Sequence, residues 1–472
     1  NEVNSSNPSR LNGFVEVAGK RADVIIANPA GITCNGCGFI NANKTTLAAA
    51  QVLLEQGKIA GFQVKNGQIA IQGNGMNDTQ SDYTQLIARA VKINARLHAK
   101  DLSVTVGENR TDARGNVIAT ASTSGKTEDF SIDVASLGGM YANKIKLVGT
   151  ETGVGVRNAG NIGAQAGDFT LSADGKLQNT GVITAQNVNV ASQQSIENSG
   201  SVLAQQSLTL DAKGAINNHN KGQIIAGRDA TLRGETLHND ATSLLAAGVD
   251  EKGRQTSAGS LNAEAKKGAT LQGQLAAKDA LRVTGSELDL SALSAQATDV
   301  TLTASESGLN TRDAHIQAAQ KASLSANGDI DNQRGNIVAS EFSLSATGEI
   351  NNTCGRLVSQ GDLSINSQSL TNNDGVVAGQ SQVNLRTKSL DNRQGWVKAN
   401  GELTITSDAI DNRETLQTGL GLEGQSVMLD TTGLNNQSGA VRGAQTINAT
   451  VSDSLNNDNG MLSAGTQLAV TD

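Results

Sequence analysis

Three short runs, Gly375-Val-Val-Ala-Gly379, Val383-Asn-Leu-Arg-Thr387 and Leu390-Asp-Asn392, decide the fold. In the second run apolar side chains alternate with polar ones, the period of a strand with one face inward and one outward. Gly375 and Gly379 bound the first run and Asp391 and Asn392 end the third, and such residues accept turns and left-handed backbone at low cost. Working outward, the pair Leu390 to Asn392 is one member of a series of apolar-x-Asn anchors. They stand at Leu177 to Asn179, Ile196 to Asn198, Ile216 to Asn218 and Leu237 to Asn239. The series resumes from Ile330 to Asn332, Ile350 to Asn352, Leu370 to Asn372, Leu390 to Asn392, Ile410 to Asn412, Leu434 to Asn436 and Leu455 to Asn457. The Asn steps are 19, 20 and 21, then 20, 20, 20, 20, 24 and 21. Such a repeat is the signature of a stacked array. Helical repeats are longer and need i, i+3, i+4 spacing, which this region lacks.

The expectation is an all-β chain, a right-handed parallel β-helix (solenoid) with coils of about 20 residues. The recurring Asn has two readings: a ladder of amides stacked from coil to coil, with Asn332, Asn352, Asn372, Asn392 and Asn412 as its clearest members, or a residue that tolerates left-handed corners. Between Asn239 and Asn332 the anchor lapses, but an apolar marker continues at Leu275, Leu293 and Ile316. The charged, Gly-containing segment 248–259 reads as a loop thrown out of the stack.

Composition agrees. Aromatic residues are 2% of 472, with two Pro and none after Pro29. A core built without aromatics suggests many thin layers of Val, Ile, Leu and Ala, and Pro is poorly tolerated in interior strands. The charge is 37 − 45 = −8 with no basic run, so nucleic acid is not an expected partner. No run is apolar enough to predict a membrane-spanning segment.

Residues 1–150 differ, holding both Pro, two of the three Cys and denser apolar runs. The stretches Asn7-Pro-Ser-Arg-Leu-Asn-Gly-Phe-Val-Glu-Val-Ala-Gly19, Ala22-Asp-Val-Ile-Ile-Ala-Asn-Pro-Ala-Gly-Ile32 and Gly38-Phe-Ile-Asn-Ala42 resemble the secretion domain of two-partner secretion exoproteins. That family includes the filamentous haemagglutinins and the contact-dependent growth inhibition exoproteins. Residues 151–472 look like the haemagglutinin-type repeats that follow such a domain, and Cys34-Asn-Gly-Cys37 leans toward the growth-inhibition branch. The resemblance implies export, recognition of the unfolded chain by an outer-membrane two-partner transporter, and folding into a secreted, cell-surface β-helix that meets a target-cell surface receptor. Asn28, Pro29, Ala30, Gly31 and Ile32 match the family's Asn-Pro-x-Gly-Ile secretion motif. The family's Asn-Pro-Asn-Leu motif and signal peptide are expected upstream of Asn1, and the Val-Glu-Asn-Asn motif and toxin beyond this piece.

For an exported protein, a local disulfide between Cys34 and Cys37 is preferred over a redox dithiol or half a zinc site. Cys354 reads as an inert corner residue, and His98, His219, His238 and His315 are scattered. No catalytic residue, metal site or cofactor is expected. Arg228, Arg356, Arg386, Arg393 and Arg442 could form a polar stripe on one face, and Trp396 either packs inside a coil or anchors a partner. The expected role is a stalk for adhesion or for contact-dependent delivery of a C-terminal toxin. A secreted cytolysin of the same pathway and a β-helical carbohydrate-active enzyme are the alternatives.

Overall fold

The computed structural model describes residues 1–121, 129–250 and 252–471; Glu251 of the segment 248–259, and Asp472, lie outside the described residues. Among these residues there is no helix, and the strands of the coils pair in parallel, giving a parallel β-solenoid. The chain divides into two compact units, Asn1–Glu235 with Val249–Thr256, and Thr236–Gly248 with Ser257–Asp472.

In the first unit one inward column shows why the coils stack. Ile26, Leu47, Leu86, Val104, Leu147, Leu171, Val190, Leu210 and Leu232 are matched in register, each with the next. All are buried. Each such side chain contributes about 1.5–3 kcal/mol when removed from water. Because only one side chain per coil enters each column, medium-sized aliphatics fill the layer and large aromatics are not needed.

Four antiparallel strands of the same unit lie outside the coils. Gln51–Glu55 pairs with Lys58–Gln63, which pairs with Asn109–Asp112, which pairs with Val117–Thr120. Gln56 and Gly57 join the first two with φ of 49° and 74°, the two-residue turn whose twist matches a hairpin. Phe62 and Val64 anchor this sheet against Ala48, Ala50 and Ile87. Sequence periodicity did not separate it from the coils, although Gln56-Gly57 between two apolar runs is a hairpin signal.

In the second unit the corresponding column is Ala263, Val283, Leu302, Leu324, Leu344, Ile365, Leu385, Ile405, Leu429 and Ala449. One coil serves for all. Val376–Gly379 forms one side and Val383–Asp391 bends to form the other two. The bend falls at Lys388 and Ser389, two consecutive outward residues that interrupt the alternation. A buried hydroxyl closes it from inside: Thr387 Oγ1 donates to the Ser389 carbonyl at 2.9 Å, as Ser407 does to Ala409 and Thr431 to Gly433.

The long step from Asn412 to Asn436 is absorbed by a loop at 413–420. Thr415 Oγ1 donates to the Asn412 carbonyl at 2.8 Å. The Arg442 guanidinium donates to the carbonyls of Leu416, Gln417 and Leu420. The segment Val249–Thr256 belongs to the first unit, where Thr256 Oγ1 donates to the Gly227 carbonyl at 2.6 Å.

Candidate functional site

Asn28 ends the strand Ala22–Ala27 and is fully buried. Its Oδ1 accepts from the Ala30 N–H at 2.9 Å, so the side chain caps its own turn. Its Nδ2 donates to the Asn7 carbonyl and to Ser9 Oγ, both at 2.9 Å, tying the turn to the coil before it. Pro29 presets the turn and is exposed. Gly31 has φ of +118°, and a Cβ there would crowd the Gln68 carbonyl at 3.0 Å, so both conformation and space require glycine. Ile32 is buried between Ser9 and Ile69 in parallel register. The five residues form one corner in which both ends of the Asn28 amide are engaged by the fold.

Cys34 and Cys37 are disulfide-bonded, with Cα atoms 5.4 Å apart and both side chains buried. The bridge spans Asn35 and Gly36. Asn35 Oδ1 accepts from the Asn74 N–H at 2.9 Å, and the Gly36 N–H donates to the Gly75 carbonyl at 2.8 Å. Cys37 pairs with Met76 on the neighbouring coil. That strand ends at Asp78, a fully buried carboxylate that accepts hydrogen bonds from three hydroxyls, Ser81 and Thr84 at 2.6 Å and Thr45 at 3.3 Å. Burial holds its carboxyl above the ordinary carboxylate range, and the three hydroxyls only partly offset this.

The recurring Asn residues form a chain of amides. Asn332 Nδ2 donates to Asn352 Oδ1 at 2.8 Å, Asn352 to Asn372 at 2.8 Å, Asn372 to Asn392 at 2.8 Å and Asn392 to Asn412 at 2.9 Å. It continues through Asn436 to Asn457. The second amide proton points to a carbonyl three residues on, at Gly335, Gly355, Gly375 and Gly395. The left-handed backbone falls elsewhere, on the second residue after each Asn: Arg334, Cys354, Asp374, Gln394 and Glu414. A Cβ on Gly375 would strike the Asn352 carbonyl and Asn372 Oδ1, so this glycine is demanded by the neighbouring coil.

The first unit carries its own ladder from Asn158 through Asn179 and Asn198 to Asn218. Asn158, with Val156 as its apolar anchor, extends the sequence series by one coil. In the second unit Leu271, Leu290 and Thr311 take the ladder place before Asn332, two residues after the stacked Ala269, Leu288, Leu309 and Ile330. Thr311 Oγ1 donates to Asn332 Oδ1 at 2.9 Å and starts the ladder. The step from 239 to 271 is 32 residues; setting aside the 12 of 248–259 leaves 20, one ordinary coil.

Other candidates are placed differently from expectation. Trp396 is not packed inside its coil: Val397 takes the inward place, and Trp396 lies half-buried on the outer face. Its Nε1 donates to Glu423 at 3.2 Å and Lys398 covers its ring at 5.0 Å. Arg356, Arg386 and Arg393 do not share a face. Arg356 is in register with Val376 and Trp396, Arg386 with Asn366 and Thr406, and Arg393 is on the ladder corner, paired with Asp391 at 2.7 Å. His98 stacks on Tyr141 at 5.1 Å, and His315 meets Asn336. Cys354 is an exposed free thiol at a left-handed corner. No group of three His, Cys, Asp or Glu side chains that could hold a metal occurs among the described residues.

Comparison with known proteins gives concordant matches. Residues 1–179 match the TPS secretion domain family, and residues 256–334, 298–422 and 409–472 match the Haemagglutinin repeat family. A protein named Toxin CdiA from Yersinia pestis is 39% identical over 343 residues, covering 72% of this chain and 10% of that protein. One named 16S rRNA endonuclease CdiA from Enterobacter cloacae subsp. cloacae is 42% identical over 299 residues, covering 61% and 9%. The chain thus spans about a tenth of the length of these relatives. A solved structure, a filamentous hemagglutinin secretion domain, is 29% identical with a TM-score of 0.34, covering 55% of this chain and 70% of that one.

Proposed function

This chain carries the secretion domain of the two-partner secretion exoproteins followed by haemagglutinin repeats, and from that premise we propose that it is a stalk segment of a large secreted exoprotein of the bacterial cell surface. Its work is reach. The observation that carries this reading is the sameness of successive coils, in which each added coil repeats the same inward columns and the same amide rung. Adding coils adds length without adding chemistry. The stalk holds an adhesive or toxic C-terminal region against a receptor on another cell, and this chain itself has no catalytic role. Residues 1–150 serve export and 151–472 serve the stalk.

Asn28 to Ile32 act in export before folding. In the folded corner both hydrogen-bonding ends of the Asn28 amide are engaged and only Pro29 is well exposed. An outer-membrane transporter therefore reads these residues in the unfolded chain, and the closed corner marks a segment that has passed. The Cys34–Cys37 bridge pins the next turn.

The test uses the exoprotein that contains this chain, expressed with its transporter. Asn28→Ala lowers the amount outside the cell at least tenfold, whereas Ser9→Ala, which removes a folded-state partner of Asn28 and leaves the motif intact, does not. Equal loss in both variants would refute recognition of the unfolded motif. Deleting residues 333–412, which leaves Asn332 in the ladder place before Asn436, preserves export and shortens the visible projection. Unchanged projection would refute the stalk.

A further inference from the structure

Asparagine followed directly by glycine occurs seven times in the chain. With no Cβ on the second residue, nothing shields its backbone nitrogen from the amide carbon of the asparagine side chain. Loss of the glycine N–H proton to hydroxide lets that nitrogen attack Cγ; the Cγ–Nδ2 bond breaks, and ammonia leaves with a proton taken from water. Water then opens the five-membered imide at either carbonyl, leaving an aspartate or its β-linked isomer. The net reaction consumes only water. It needs a free glycine N–H, a side chain able to swing onto it, and solvent at both.

The fold denies these conditions at five of the seven pairs. At Asn35-Gly36 the glycine N–H donates to the Gly75 carbonyl at 2.8 Å, and Asn35 Oδ1 accepts from the Asn74 N–H. The N–H of Gly75 donates to the Gln72 carbonyl at 3.0 Å, that of Gly401 to the Ser381 carbonyl at 2.8 Å and that of Gly460 to the Asn457 carbonyl at 3.0 Å, which closes the corners after Asn74, Asn400 and Asn459. Gly67 makes no such bond, but it is buried. There the Arg89 guanidinium donates to Asn66 Oδ1 at 3.1 Å while it pairs with Glu151 at 2.7 Å, so the Asn66 amide is gripped. Each of these five pairs must open locally before it can react.

Two pairs remain. Asn12 and Gly13, between the strands Ser9–Leu11 and Phe14–Glu16, are both exposed. Among the described residues neither the Asn12 side chain nor the Gly13 N–H has a hydrogen bond, and a Cβ on Gly13 would meet nothing within 4 Å. Asn327 and Gly328 follow the strand His315–Ala326 in the second unit. The Gly328 N–H has no hydrogen bond among the described residues, and the exposed Asn327 amide is held only by the Thr347 hydroxyl, at 3.3 Å. We propose that Asn12 and Asn327 are the positions at which the folded chain deamidates. Each event sets a carboxylate on a surface bend. A β-linked product also lengthens the backbone between Ala326 and Ile330, which stand in register with Ala346 and Ile350 on the next coil, so the added length is taken up in the bend.

The experiment follows the purified chain in mildly alkaline buffer over weeks. Peptide mass spectrometry reads the acid-for-amide mass change at each of the seven pairs, and the same chain unfolded in guanidinium is the comparison. In the unfolded chain all seven react at rates within a few-fold of one another. Folding slows the five engaged pairs at least tenfold, and Asn12 and Asn327 less than threefold. Thr347→Val, which removes the one hold on the Asn327 amide, raises the rate at Asn327 at least twofold and leaves that at Asn12 unchanged. Gly13→Ala, which the open space around Gly13 accommodates, lowers the rate at Asn12 at least tenfold and leaves that at Asn327 unchanged. Circular dichroism establishes that both variants are folded. Tenfold protection of Asn12 or Asn327 in the folded chain, or an engaged pair that reacts as fast as they do, overturns the assignment.

Discussion

In the coils from Asn332 to Asn436 the corner holds a buried amide, whereas in those from Leu271 to Thr311 the same place holds two leucines and then a hydroxyl. The inward columns of the two stretches continue into each other in parallel register. Aliphatic columns are therefore sufficient to build a coil, and the amide is not what makes the chain turn. It fixes phase. A buried amide displaced from its neighbours leaves donors and acceptors unpaired at about 1–3 kcal/mol for each group, while a displaced leucine only trades one apolar contact for another. The Asn coils are specified more sharply than the Leu coils at similar packing.

Exchanging the two interiors tests this. Leu290→Asn has the largest expected effect, about 4 kcal/mol of local destabilisation, because an apolar group leaves the corner and an amide faces Leu271. Hydrogen exchange of the flanking coils reads it better than a global melt, since solenoids need not unfold in one step. A cost below about 1 kcal/mol would show that the corner is wet and the comparison wrong. Asn372→Leu costs about 2–3 kcal/mol by stranding the Asn352 donor and the Asn392 acceptor. Adding Asn352→Leu costs much less than a second increment of that size, because only the ends of a broken ladder are stranded. Additive losses in that double variant would refute the ladder as a unit.

Asp78 gives a charged counterpart to the buried amides. Its folded-state acidity is weakened by burial, so protonation favours the fold. That stabilisation is complete below the ordinary carboxylate range and is lost as pH rises through the raised value. Asp78→Asn therefore raises the denaturation midpoint at pH 7, and the advantage shrinks as the pH is lowered. A constant difference across pH would remove the carboxylate from the account. The smallest effect is at the left-handed corner, where Gln394→Gly stabilises by about 0.5 kcal/mol by relieving its positive φ.

The architecture was legible because one residue type recurred at one spacing, and buried amides tolerate few substitutes. What stayed hidden follows from the same physics. Trp396 and Val397 are adjacent and both apolar, and a one-coil shift sets them over Val376 and Val377, again both apolar. Alternation alone could not say which faces in. Arg356, Arg386 and Arg393 looked alike in sequence but sit before, within and after bends, so likeness of residue type did not place them on one face. Leu271 and Leu290 occupied the ladder place unnoticed because a search keyed to Asn passes over a coil that keeps its shape without one. At the corner of Asn28 to Ile32 the sequence supplied the residues, and the structure added that the Asn28 amide closes its corner on Ser9 and the Asn7 carbonyl.

The loop at 413–420 lengthens the chain between two rungs, yet Asn412 still reaches Asn436 at 2.7 Å. Chain length there is uncoupled from register. Such a corner is a grafting point: a foreign segment can be spliced in beside Thr415 without disturbing the coils on either side. Variation in this molecule can thus accumulate in loops hung from an unchanging frame, and one scaffold can carry different surface cargo through descent or by design.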